Sequence, residues 1–131
     1  MSPSSRSTVL VVEDDPPLRE LYRSALRAAG YPVIAVEDGE DALRQIELTL
    51  PAAIVLDLGL PRLGGRDVHE ELKAHSETQD IPIIVVTGTD TSDLDAKAYA
   101  CVLRKPVTID ALLAAVEKCI RRAGGAPVAL F

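Results

Sequence analysis

The sequence predicts a doubly wound α/β domain, in which a mainly parallel sheet is covered by helices on both faces. Five short apolar runs alternate with segments whose apolar residues recur at helical spacing, and the connections between them are short. Such alternation is typical of βαβ units and a parallel sheet. The runs are apolar almost throughout, rather than at every second residue, which indicates strands that are buried on both faces.

Each element can be placed from its local pattern. The strands are expected over 8–12, 33–36, 54–56, 83–86 and 101–103. The helices are expected over 16–29, around 42–46, over 66–75, over 93–99 as a short piece, and over 109–120. Gly30 and Pro51 mark the ends of the first two helices, and Thr108 is a good N-cap for the last one.

The order of the strands follows from the connections. Right-handed crossovers leave few topologies for five such units, and the flavodoxin-like order 2-1-3-4-5 is the expected one. In that order the ligand crevice lies between strands one and three. Strand one ends in Glu13-Asp14-Asp15, and strand three ends in Asp57. The carboxylates are therefore predicted to converge on the crevice where this fold binds ligands.

The composition limits the class of protein. There are 14 basic and 20 acidic residues and a net charge of −6, which argues against the basic patch of a nucleic-acid-binding protein. No apolar run approaches the length of a membrane span, and the Ser-rich start lacks the apolar segment of a signal peptide. Cys101 and Cys119 have no metal-ligand spacing, so we expect buried or half-buried thiols in a reducing compartment. A cytoplasmic protein without direct nucleic-acid or membrane contact is expected.

The length of the chain predicts one domain. We expect it to span 8–123, between a disordered N-terminus over 1–7 and a C-terminal tail over 124–131. No output domain follows, which indicates either a stand-alone domain or one excised from a larger protein. We expect a monomer or weak dimer.

Asp57 is the central candidate for chemistry. By itself, an aspartate after a strand is equally explained by capping of the next helix or by exposure to solvent in a turn. Two like charges about 5 Å apart repel by roughly 3 kcal/mol at an effective dielectric near 20, so three acids at adjacent strand ends are costly. Mg²⁺ with a few carboxylates and retained waters relieves that repulsion. Acidic clusters at loop ends are also often only solvated.

Two further strand ends point to phosphate chemistry. Thr87 offers a hydroxyl at the end of strand four, Gly88 allows close backbone approach, and Lys105 offers an ammonium after strand five. The alternatives are a turn residue for Thr87 and a solvated side chain for Lys105. Acids, a metal, a hydroxyl and an ammonium around one carboxylate describe phosphoryl transfer, in which positioning and charge neutralisation dominate.

In this order and spacing, four motifs make the chain similar to the receiver domain of two-component response regulators, over nearly its whole length. The motifs are Val11-Val12-Glu13-Asp14-Asp15, Asp57-Leu58-Gly59-Leu60-Pro61 with Gly65, Val86-Thr87-Gly88 and Arg104-Lys105-Pro106. The resemblance implies a bacterial phosphorelay, with a sensor histidine kinase or phosphotransfer protein as donor and an unknown downstream protein as target. It also implies that the domain is not an enzyme that acts on other substrates, and that it catalyses only its own phosphorylation and autodephosphorylation.

The resemblance also implies roles for the acids and the loop after them. Asp57 would accept the phosphoryl group from a phosphohistidine and contribute to the Mg²⁺ site. Asp14 would ligate the ion directly and Glu13 through water, and the Gly59 carbonyl would complete the protein ligands. Asp15 matches a variable position and is expected to be only a loop residue.

For the residues of strands four and five, the resemblance implies binding and switching roles. Thr87, next to Gly88, would follow the phosphoryl group as a switch, and Lys105 would bind one of its oxygens. Pro106 commonly follows that lysine through a cis bond.

The chain departs from the family pattern in two places. Thr87 and Lys105 are 18 positions apart, a few fewer than usual, so we expect a shortened fourth helix. Val102 occupies the conformational position that is often Tyr or Phe, and its branched side chain has no ring to swing. His69 and His75 lie on a polar helix and are expected to be solvated.

Other classes of protein fit less well. Many phosphohydrolases with an aspartyl nucleophile carry a second Asp two residues on, where this chain has Gly59. A flavin or nucleotide binder needs a Gly/Ser/Thr-rich loop after strand one, but acids and prolines are found there. A receiver-fold docking module that acts independently of phosphorylation stays open, although the complete acid, threonine and lysine set argues against it.

Overall fold

The computed structural model describes residues 8–60, 63–88 and 99–122. Within these ranges the chain forms five strands and four helices. In chain order they are β1 (Val9–Val12), α1 (Pro16–Ala28), β2 (Val33–Val36), α2 (Gly39–Thr49), β3 (Ala53–Leu56), α3 (Gly65–Lys73), β4 (Ile83–Thr87), β5 (Cys101–Arg104) and α4 (Ile109–Arg122). The strands form one parallel sheet in the order β2-β1-β3-β4-β5, so the predicted topology is confirmed.

The sheet has an apolar layer on each face. Because successive strand residues point to opposite faces, Val9 and Val11 of β1 belong to one core cluster, and Leu10 and Val12 belong to the other. Helices α1 and α4 cover the first face, and α2 and α3 cover the second. All four residues of β1 are at most 1% exposed. The near-continuous apolar pattern therefore does reflect burial on both sides for β1, β3 and β4, whereas most residues of the edge strands β2 and β5 are only half-buried.

Local caps set the ends of the first two helices. The Asp15 carboxylate accepts the Leu18 N–H at 3.1 Å, and two prolines follow it in the first turn, where their missing N–H groups cost nothing. The helix closes with Gly30 at φ 102°. Helix α2 ends at Thr49, and its C-cap residue Leu50 adopts a left-handed φ of 46° directly before Pro51.

The third helix is shorter than predicted. It was expected over 66–75 but ends at Lys73. The Thr78 hydroxyl donates to the Leu72 carbonyl at 2.6 Å, so a side chain from the following turn takes up one of the last carbonyls of the helix. The chain turns there instead of continuing the helix.

Four expected features lie outside the described residues. These are the N-terminal segment 1–7, the C-terminal tail 124–131, the turn residue Pro61, and the short helix predicted over 93–99, except for its last residue. That residue, Tyr99, lies in a bend before β5 and is 8% exposed.

The expectation of a solvated His69 is wrong. Its side chain is half-buried, and its ring packs against Tyr99 with centroids 4.5 Å apart. Spacing on one helix cannot reveal a partner 30 positions away, which is why the pattern missed this contact. His75 is exposed as expected, with its Nε2 3.0 Å from Glu71.

Candidate functional site

Two buried acids lie side by side at the carboxyl edge of the sheet. The Glu13 N–H donates to the Val36 carbonyl, and the Asp57 N–H donates to the Val12 carbonyl, both at 3.1 Å. The sheet ladder thus continues one residue beyond β1 and β3 and fixes where each side chain starts. Glu13 is 1% exposed and Asp57 is 6% exposed.

A third acid completes the cluster. Asp14 is exposed, and its carboxylate, together with those of Glu13 and Asp57, offers oxygens that all lie within 4.8 Å of one another. The predicted convergence of these acids on the crevice between strands one and three is confirmed. Asp15 instead caps α1, as its expected role as a loop residue allows.

Lys105 links the two buried acids. Its Nζ lies 2.9 Å from Glu13 Oε1 and 3.2 Å from Asp57 Oδ2. Its backbone N–H donates to the Thr87 carbonyl at 3.0 Å, which extends the β4–β5 pairing by one residue. The Lys105–Pro106 peptide bond is cis, as the resemblance implied.

Burial and charge compete at this ion pair. Burial raises the pKa of Glu13 from 4.5 to about 7, against the opposing effects of the Lys105 hydrogen bond and the Asp15 N–H, and the charge of Asp57 raises it further. For Lys105, burial alone would lower the pKa, but the hydrogen bond to Glu13 and the charge of Asp57 together raise it. The two acids therefore repel each other, and the ammonium that lies between them is held in its charged form.

The end of β4 and the residue after it supply two more of the predicted residues, Thr87 and Gly88. Thr87 is the last residue of the strand and is fully buried. Gly88 follows it and is exposed, and a Cβ added there would lie 3.8 Å from the Lys105 Cβ, an ordinary contact. The structure thus brings Thr87 and Gly88 to the same sheet edge as Lys105, with Val102 half-buried three residues before the lysine.

The first residues of the loop after β3 contact the Asp57 carboxylate. The Gly59 N–H donates to Asp57 Oδ1 at 2.9 Å, and so one oxygen of that carboxylate is already oriented. A Cβ at Gly65 would lie only 2.7 Å from the Asp57 carbonyl oxygen, so only glycine lets α3 begin this close to the strand end. The Gly59 carbonyl as a metal ligand stays a prediction.

The donor set fits Mg²⁺. All the candidate side-chain ligands are carboxylate oxygens, which a hard divalent cation prefers, and one exposed acid leaves room for retained waters. The three acids offer oxygens within 4.8 Å of one another, close enough for one cation to contact more than one of them. Glu13, Asp14 and Asp57 are thus the residues that would hold it.

A second acidic group is explained by local structure. Carboxylate oxygens of Glu37, Asp38 and Asp41 also lie within 4.8 Å of one another. However, Asp38 caps α2 by accepting the Asp41 N–H, and Asp41 pairs with Arg44 at 2.7 Å. The oxygens of Asp38 and Asp41 therefore have partners at the start of the helix.

Sequence reasoning missed one residue of the site. The guanidinium of Arg19 reaches back from α1 to the backbone of the acidic loop and donates to the Glu13 carbonyl at 3.1 Å. The only signal in the sequence is an arginine six positions after Glu13, and that spacing by itself does not distinguish a contact with the loop from a solvated side chain.

The fold and the site define a flavodoxin-like α/β domain with an acidic, lysine-bridged crevice at its strand switch point. A family model for the response regulator receiver domain matches residues 9–117, and the chain belongs to this family. Its relatives include the response regulators MprA of Mycolicibacterium vanbaalenii and of Mycobacterium ulcerans. Each is 39% identical over 119 residues, which are 87% of this chain and 50% of the relative. The chain thus spans about half the length of these relatives.

Solved structures agree with this assignment. The signal receiver domain of a Luxo repressor protein from Vibrio parahaemolyticus is similar, with a TM-score of 0.83 and 32% identity over 91% of this chain and 93% of that one. The receiver domain of a sensor histidine kinase from Pseudomonas aeruginosa has a TM-score of 0.80 and 30% identity over 88% of this chain and 98% of that one. That structure was solved with a magnesium ion coordinated in its active site cleft.

Receiver domains of this family are not classical enzymes, and they act with histidine kinases or phosphotransfer proteins. Among the described residues, no helix is both long and apolar enough to cross a bilayer.

Proposed function

We propose that this chain accepts a phosphoryl group on Asp57 from a kinase or phosphotransfer-protein phosphohistidine, in a Mg²⁺-dependent step that changes its protein contacts. We take the domain to span 8–123 and to act in the cytoplasm as a monomer or weak dimer. The observation that carries the proposal is the position of Asp57, which has two further acids beside it and Lys105 3.2 Å from Oδ2.

The proposed transfer is an in-line displacement. An Asp57 oxygen attacks phosphorus, the P–O bond forms as the P–N bond to the histidine breaks, and the electron pair leaves with the imidazole nitrogen. The Gly59 N–H orients the carboxylate through Oδ1, and Lys105 exchanges its contact with Oδ2 for a phosphoryl oxygen. Asp14 and Asp57 would hold Mg²⁺ directly, Glu13 through water and Gly59 through its carbonyl, and the ion would supply charge neutralisation for the transferring group.

The response is assigned to the end of the sheet formed by β4 and β5. The Thr87 hydroxyl moves toward the phosphoryl group beside Gly88, and the change passes to Val102 and Pro106 of the neighbouring segment. Support comes from the backbone hydrogen bond between Lys105 and the Thr87 carbonyl, which connects the two strand ends directly.

Small phosphodonors test the proposal. Incubation with acetyl phosphate or phosphoramidate and Mg²⁺ should add one phosphoryl group by intact mass, and excess chelator should stop the reaction. The isosteric variant Asp57→Asn is the control and should not be labelled. Undiminished labelling of that variant, or no labelling of the wild-type protein, would contradict the assignment.

Partner capture separates this function from that of a phosphorylation-independent docking module. The wild-type protein with beryllofluoride, which stands in for the phosphoryl group, and Asp57→Asn without it should retain different partners. Identical partners in both states would favour the docking module.

A further inference from the structure

Arg19 holds the backbone of the acidic loop from the first turns of α1. Its Nη1 donates to the Glu13 carbonyl at 3.1 Å and lies 3.5 Å from the Asp14 carbonyl. Its own backbone N–H donates to the Asp15 carbonyl at 2.8 Å. One residue therefore contacts the carbonyl oxygens of all three consecutive acids.

These contacts fix the peptide groups on both sides of Asp14. The Glu13 carbonyl belongs to the peptide plane before Asp14, and the Asp14 carbonyl belongs to the plane after it. Holding both planes fixes the direction in which the Asp14 side chain leaves the backbone. This matters most for Asp14, because it is the exposed acid of the cluster and has no surrounding core to hold it.

We propose that Arg19 is a positioning residue for the cation site, and this inference rests on the Mg²⁺ site of the proposed function. A guanidinium is suited to the task because it is always charged and presents its donors in a rigid plane. It points at carbonyl oxygens rather than at the carboxylates, so it orders the loop without occupying the side-chain oxygens that a cation needs.

The sign of the effect on Mg²⁺ affinity separates positioning from simple charge. Removing a positive charge near an acidic cluster should strengthen cation binding, because it removes repulsion of the incoming ion. Loss of positioning should weaken binding instead, because the protein must then order Asp14 as the ion binds. Partners that orient ligands typically affect metal affinity by about tenfold or more.

Titration calorimetry with Mg²⁺ alone, without phosphodonor, tests the proposal. Arg19→Gln should bind Mg²⁺ about tenfold more weakly than the wild-type protein. Arg19→Lys, which keeps the charge but loses the planar fork, should fall between the two. Arg23→Gln is the matched control: it removes the same charge one turn further along α1, where the side chain pairs with Glu20. It should bind as tightly as the wild-type protein or slightly more tightly.

Hydrogen exchange of the metal-free proteins is the second readout. The Asp14 and Asp15 amides should exchange faster in Arg19→Gln than in Arg23→Gln, with circular dichroism confirming that both are folded. If Arg19→Gln does not fold, Arg19→Lys carries both measurements. Mg²⁺ binding by the Arg19 variants as tight as that of Arg23→Gln would overturn the inference. If the wild-type protein itself binds no Mg²⁺, the proposed metal site fails, and equal exchange in the variants then overturns the role of Arg19 as well.

Discussion

The Lys105 ammonium lies 2.9 Å from a Glu13 oxygen and 3.2 Å from an Asp57 oxygen, and it joins two acids that end different strands. Both acids are buried and Lys105 is partly so, with 21% of its side chain exposed. Without metal, this cation offsets the repulsion between the two carboxylates.

Removing the ammonium should destabilise the metal-free protein. Lys105→Met leaves two buried acids without their cation, and we expect it to lower the free energy of unfolding by about 1–3 kcal/mol, less than for a fully buried pair because Lys105 is partly exposed. Urea unfolding in chelator, compared with Lys118→Met at an exposed position of α4, measures the difference. Saturating Mg²⁺ should recover part of it. Equal stability of the two variants would count against the bridge.

Stability in chelator should fall as the pH rises from about 4.5 to about 7. Folded Glu13, whose pKa is raised to about 7, keeps a proton that the unfolded chain loses near 4.5. The folded state thus binds more protons in this window, so its stability decreases with pH. Urea unfolding at pH 5 and pH 8 tests this against Glu13→Gln, which should show a smaller decrease. A wild-type decrease no larger than that of the variant would refute it.

A methyl group at Gly65 should destabilise the fold by about 1–3 kcal/mol. In Gly65→Ala the new Cβ would lie 2.7 Å from both the Asp57 carbonyl oxygen and the Leu58 Cα, so backbone must move next to the site. Gly64→Ala is the matched control, because its Cβ would meet only an Asp67 oxygen at 3.7 Å. Thermal melting distinguishes the two. Similar melting temperatures of Gly65→Ala and Gly64→Ala would show that the backbone near Gly65 accommodates the methyl group without loss of stability.

The rings of His69 and Tyr99 should be energetically coupled. Aromatic pairs contribute about 0.5–1.5 kcal/mol beyond the area that they bury. A double-mutant cycle with His69→Ala and Tyr99→Leu should give a coupling free energy in that range. The same cycle with His75→Ala, whose partner is Glu71, should be additive. Coupling in the second cycle as large as in the first would mean that the ring contact is not its source.

The Thr87 hydroxyl should be needed for the response and not for labelling. Thr87→Ala should still accept a phosphoryl group, but beryllofluoride should cause smaller NMR shifts in β5, because no hydroxyl follows the bound group. Thr87→Ser keeps the hydroxyl and should recover the wild-type shifts. Wild-type NMR shifts in Thr87→Ala would show that Thr87 is not part of the switch.

Local pattern was enough to predict the strand order and the meeting of Glu13, Asp14 and Asp57. Continuous apolar runs and short connections leave little choice of topology, and acids after β1 and β3 must then share one edge. The contacts that pattern missed depend on where side chains reach in three dimensions. These include the Arg19 guanidinium folding back on its own loop, the Thr78 hydroxyl ending α3, and the ring contact with Tyr99.

Hydrogen bonds continue the sheet one residue past its strand ends, so the register of the strands fixes the spacing between the charged side chains of the site. Glu13, Asp57 and Lys105 are each bonded through the backbone N–H to the neighbouring strand. A slip of one residue would carry a carboxylate or the ammonium about 3.3 Å along its strand and turn it to the opposite face. The spacing between the charged groups is therefore set by peptide geometry in the core.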